Sequence, residues 1–176
     1  MIDDVVVGER LLYILQLVLI ELLQQRPGLP QAEQLLAAAY QAQGRLDEAA
    51  DVFRSQIARD ENQPAPHFML GMILRQQGKG TGALASFQKA QTLAPKDQAV
   101  AFQLIELDIE RKDFETARRR VQEQETLHPG SWTVPFLQGK VFSAEGKWAE
   151  AEKSLLAALA LQPDSLTIHN LLLDGY

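Results

Sequence analysis

Apolar residues recur along this chain at spacings of three and four, the period of a helix that buries one face. Leu70, Gly71 and Leu74 make one such stripe; beyond a short polar turn at Gly78, Ala83, Phe87 and Ala90 make a second. The alternation returns four times. Gly44, Gly78 and Gly146 share one phase, as do Ala49, Ala83, Ala117 and Ala151, then Phe53, Phe87, Val121 and Leu155, then Pro95, Pro129 and Pro163, every step being 34 residues or a multiple of it. Each unit therefore predicts a helical hairpin. The glycine supplies the permissive backbone that ends the first helix, the small alanine lets the second approach closely, and the late proline ends the second helix before the next unit begins. One hairpin cannot bury its stripe alone, whereas stacked neighbours can.

At these residues the chain resembles the tetratricopeptide repeat (TPR) family, whose unit carries Leu-Gly, Tyr, Gly, Ala, Phe, Ala and Pro in that order. Residues 64–97 match best, with Leu70-Gly71, Leu74 in place of Tyr, Gly78, Ala83, Phe87, Ala90 and Pro95. Residues 132–165 match at Gly139, Phe142, Gly146, Ala151, Leu155, Ala158 and Pro163. The unit at 30–63 keeps Leu36, Tyr40, Gly44, Ala49 and Phe53 but has Gln56 and Glu61 where Ala and Pro belong. The unit at 98–131 departs furthest, with Lys112 at the glycine position and Ile105 for the usual small residue. The resemblance implies an all-α, right-handed superhelical solenoid of antiparallel helix pairs.

The same phase extends outward. Leu15, Leu19 and Leu22 fall on the three packing positions of a second helix, so residues 1–29 read as a partial repeat or capping helix, with its helix over about 9–25. Leu172 and Tyr176 fall on the first helix of a partial fifth unit, 166–176. Neither end has the polar outer face that closes a solenoid, and a segment of a longer array is expected; a native partial unit acting as a cap is the alternative. Between residues 11 and 23 only Gln16 and Glu21 interrupt an otherwise apolar helix. Three roles are open to it: half a hairpin packed on the first full unit, a helix that docks in a groove or drives self-association, or a membrane-surface helix. The charge-free run at 11–20 is half of a membrane span, and no cleavage pattern follows it, so neither a span nor a signal peptide is expected.

Composition fits a helical chain. Leu, Ala and Gln supply 27, 22 and 19 residues against 23 for Val, Ile and Thr together, and the first group are the helix formers. A net charge of −6 gives no general attraction to phosphates, so nucleic acid is not an expected partner. Without cysteine there is no disulfide framework, thiolate nucleophile or sulfur-ligated metal, and cytoplasm and periplasm stay equally open. His67 and His169 share a phase three units apart, too distant for one site, and His128 sits in a turn. Gly78-Lys79-Gly80-Thr81-Gly82 lacks the order and the preceding strand of a phosphate loop; it replaces with Gly80 the large apolar residue found at Leu46, Phe114 and Trp148, which predicts a looser corner. Arg118, Arg119 and Arg120 stand among Glu115, Glu123 and Glu125 and read as a solvated, self-paired face. Neither an enzyme nor a cofactor is expected.

In the resembled family the concave surface is lined by the first helices. Its positions, transferred residue by residue, give Gln34 and Gln41 from the first unit, Phe68, Met72 and Arg75 from the second, Phe102 and Glu106 from the third, and Phe136 and Lys140 from the fourth. Gln34 and Ala38 stand where chaperone-binding members carry Lys and Asn, so that carboxylate clamp is not expected. An apolar peptide or amphipathic helix suits the aromatic strip better. Either Phe68, Phe102 and Phe136 face a ligand, or they pack between successive first helices. The expected function is a non-catalytic adaptor or scaffold; the alternative is an accessory segment of a larger enzyme or of a bacterial envelope or export assembly.

Overall fold

A computed structural model describes residues 4–173. Among these residues ten helices follow one another: α1 (Asp4–Gln25), α2 (Pro30–Ala42), α3 (Leu46–Arg59), α4 (Pro64–Gln76), α5 (Gly80–Leu93), α6 (Gln98–Glu110), α7 (Phe114–Leu127), α8 (Thr133–Ala144), α9 (Trp148–Leu161) and α10 (Leu166–Leu173). No strand occurs among the described residues. The second helices begin at Leu46, Gly80, Phe114 and Trp148, each 34 residues after the last. Tyr176, expected in a fifth first helix, lies outside the described residues.

Local chemistry sets these boundaries. Pro30 and Pro64 open α2 and α4, where a missing N–H costs nothing. Asp97 caps α6 by accepting from the Ala99 N–H at 2.8 Å, and Asp113 caps α7 through the Thr116 N–H at 3.2 Å. At the hairpin turns Gly44, Gly78 and Gly146 take φ of 72°, 72° and 76°, and Lys112 takes 59°. Each turn closes with the same bond back to the first helix: Arg45 N–H to the Tyr40 carbonyl (2.9 Å), Lys79 to Leu74 (2.8 Å), Asp113 to Asp108 (2.8 Å) and Lys147 to Phe142 (2.9 Å). Lys112 thus accepts the glycine conformation, at a cost of roughly 1–2 kcal/mol for a side chain in the left-handed region.

The chain forms two compact units, Met1–Ala94 and Pro95–Tyr176. In each, the second helices turn an alanine towards their own first helix: Ala49, Ala83, Ala117 and Ala151 are exposed by only 0, 0, 0 and 1%. The residue one turn on fills the space that a small partner leaves. A Cβ on Gly71 would stand 2.6 Å from the Phe87 ring, and one on Gly139 would stand 2.6 Å from Leu155 Cγ. The third hairpin reverses this exchange of volume, with Ile105 on α6 and the smaller Val121 on α7 in one core cluster.

Two sequence expectations need correction. Of the three packing residues assigned to the first helix, only Leu19 is buried, with Ala32 and Leu36 of α2; Leu15 and Leu22 remain exposed because, among the described residues, α1 packs on α2 and has no first helix of its own. The arginine triplet is not one solvated face. Arg119 does pair along α7 with Glu123 at 2.6 Å, but Arg118 reaches the buried Glu145, which Lys147 also holds at 2.5 Å. Arg120 turns inward, its Nε donating to Asp108 Oδ2 at 2.8 Å. Successive helical residues point about 100° apart, so three in a row cannot share a face.

Candidate functional site

In the Met1–Ala94 unit the expected binding residues lie on α2 and α4. Gln34 is exposed, while Gln41, Phe68, Met72 and Arg75 are half-buried. Gln41 Nε2 donates to Gln76 Oε1 at 3.1 Å, joining the two first helices. Phe68 rests against the core ring of Phe87, centroids 5.7 Å apart and tilted by 51°. Its ring is therefore seated in the hairpin on one side. Beside it, His67 is buried and its Nε2 donates to the Glu61 carbonyl at 2.9 Å.

The Pro95–Tyr176 unit holds a tighter arrangement. Phe102 of α6 and Phe136 of α8 stack with centroids 6.4 Å apart and 10° between planes, and Trp132 closes on Phe136 at 5.7 Å. Lys140 Nζ lies 5.7 Å from one ring centroid and 5.8 Å from the other, within the range of cation–π attraction. The same ammonium is 2.5 Å from Glu106 Oε1. Four of the expected residues are thus brought together here, and they differ in access. Phe136 is only 4% exposed, whereas Phe102, Glu106 and Lys140 are half-buried. Trp132, just before α8, contributes to the difference: its ring packs against that of Phe136, tilted by 49°.

Clefts open elsewhere, between consecutive helices. One of about 230 Å³ separates α9 from α10 and is lined by Trp148, Leu155, Leu171 and Leu172. Another, of about 260 Å³, lies between α7 and α8 beside Arg118, Gln122 and Gln138. The first-helix positions of the resemblance do not point to them, because each is walled by a second helix and by other positions of the first helix that follows it; the large apolar residue at the hairpin's closed end, Trp148, is the sequence signal that leads to the first. His128 Nε2 donates to the Lys96 carbonyl at 3.1 Å and His169 Nδ1 to the Ser165 carbonyl at 2.8 Å. Among the described residues no three His, Asp or Glu side chains converge as a metal site, and no helix is long and apolar enough to cross a membrane.

Two sequence profiles described as tetratricopeptide repeat match the chain, one over residues 29–98 and one over 74–130, together more than half its length. The chain belongs to the tetratricopeptide repeat family. Solved TPR structures share its fold. A TPR protein of Parabacteroides merdae superposes with a TM-score of 0.79 at 16% identity, over 92% of this chain and 64% of that one. One from Thermus thermophilus gives 0.71 at 16% identity over 91% and 88%. YrrB, a TPR protein with an unusual peptide-binding site, gives 0.69 at 18% identity over 95% and 86%. At such identities the likeness is one of TPR architecture. No curated protein matches the sequence.

Proposed function

We propose that this chain is a non-catalytic protein-interaction module, an adaptor or scaffold that takes an apolar peptide or amphipathic helix on the face made by its first helices. The units are 30–63, 64–97, 98–131 and 132–165, with partial repeats at 1–29 and 166–176. The observation that carries the reading is the cluster of Phe102, Phe136, Lys140 and Glu106. Its half-buried ring and paired ammonium offer an apolar contact beside a polar one, the combination that fixes both affinity and orientation at a peptide site. With Phe136 buried, Phe102 is the anchor; Gln34, Gln41, Phe68, Met72 and Arg75 are the contacts of the other unit. A similar use of the fold is known by description for YrrB, with its peptide-binding site.

The test is a selection of displayed peptides on the intact protein, repeated with Phe102→Ala. Enriched sequences should carry apolar residues at helical spacing and should bind the variant at least about tenfold more weakly, the effect of losing one buried anchor. The melting temperature should fall little. Unchanged affinity, or a collapse of the fold, defeats the assignment of Phe102 as an anchor.

A second reading concerns residues 11–23. The exposed aliphatic side chains of α1 favour self-association of the module through this helix.

A further inference from the structure

On α1, Leu11, Leu15, Val18 and Leu22 follow one another at intervals of four, three and four, and they are exposed by 61, 42, 57 and 36%. These are the steps of a two-helix seam. The neighbouring side of α1 is already occupied: Leu19 is buried against α2, and the buried Gln16 accepts from Arg45 Nη1 at 3.3 Å. What covers the open stripe is constrained by Leu15. It occupies the register of Ala49, Ala83, Ala117 and Ala151, the residues that every complete hairpin presents to its own first helix. A first helix approaching as the others do would meet an isobutyl group where they meet a methyl. The stripe is therefore shaped for something other than one more repeat helix.

It is shaped for itself. Set antiparallel against a second copy, about a two-fold axis between Leu15 and Val18, Leu11 faces Leu22 of the other copy and Leu15 faces its Val18. Charge selects the same direction. Arg10 and Glu21 are both exposed and, at about 100° per residue, lie on one flank of the stripe. Within one helix they stand eleven residues apart, about 16 Å along the axis, out of reach of each other. In the antiparallel pair each Arg10 comes to within about 3 Å, along the axis, of the level of Glu21 in the other copy. A parallel pair sets the two flanks on opposite sides and leaves these charges apart.

We propose that α1 is an isologous dimerisation helix, pairing antiparallel with α1 of a second copy of this chain through Leu11, Leu15, Val18 and Leu22. The proposal rests on the self-association reading and gives it a geometry. Light scattering across a concentration series should show the mass of the intact chain rising from 19.6 kDa towards twice that value. Val18→Glu should hold it at the monomer mass with its helical circular dichroism unchanged. Glu21→Arg should weaken the dimer several-fold, and adding Arg10→Glu to the same chain should restore it. Because the chain has no cysteine, introduced thiols report the pairing: a mixture of Leu11→Cys and Leu22→Cys chains should become disulfide-linked far faster than either alone. A monomer at every concentration overturns both the proposal and the self-association reading. A dimer indifferent to Val18→Glu removes the stripe from the interface, and one in which Leu11→Cys links readily to itself overturns the antiparallel pairing while self-association stands.

Discussion

Asp108 and Arg120 show how one residue pair sets the chemistry of a hairpin. Asp108 lies in α6 at the position where the other units carry Tyr40, Leu74 and Phe142, and it is buried. Burial pushes its carboxyl above the usual range, with the Arg120 guanidinium pulling the other way. The folded state thus favours the protonated acid more than the unfolded chain does. The contribution of this group is fully present below the unfolded value, about 3.9, and is lost as pH rises through the raised folded one. Arg120→Ala strands the carboxylate, a change that typically costs about 3–5 kcal/mol when a buried pair loses one partner. Urea unfolding should show that loss at pH 7 and a smaller one at pH 4, where protonation relieves it; equal losses at both would place the cost in packing alone.

Among the elements, the turn between α4 and α5 stands apart. Gly80 occupies the place of Leu46, Phe114 and Trp148, and a Cβ built there meets nothing within 4 Å. Asp47 compensates from outside, accepting from Gln77 Nε2 at 3.0 Å and Lys79 Nζ at 3.2 Å. Such exposed ties contribute little, so amide exchange at residues 78–83 should be faster than at 44–49, and Gly80→Leu should slow it; equal protection in the two turns would contradict this. The hairpins were legible because their signals are local: a proline two residues past α5, α7 and α9, and a left-handed turn that even Lys112 obeys. The candidate site was less so. Phe102 and Phe136 share one phase, and Glu106 and Lys140 another, which sequence can find, but which ring stays accessible shows only in the packing, where Trp132 lies against Phe136. The inward turn of Arg120 depends on an acid twelve residues earlier. The exposure of Leu15 depends on a helix that does not pack there.

At the scale of the molecule, a stack of hairpins distributes its stability over nearest neighbours. Leu155→Ala, which empties the pocket beside Gly139, should cost about 2–5 kcal/mol. Hydrogen exchange should register that loss chiefly in the Pro95–Tyr176 unit, and uniform deprotection of both units would mean that the chain unfolds as one body. A periodic chain also faces a hazard that a non-repetitive one escapes, since each first helix meets several second helices of nearly the same pattern while it folds. The opposed sizes of Gly71 with Phe87 and Ile105 with Val121 answer it. Were α6 to take the place of α4 in its hairpin, Ile105 would be driven into the Phe87 ring at a place with no room for a methyl; were α4 to take the place of α6, Gly71 and Val121 would leave a hole. The first helices of neighbouring hairpins are therefore not interchangeable: the sizes at these two positions mark which first helix belongs to which second.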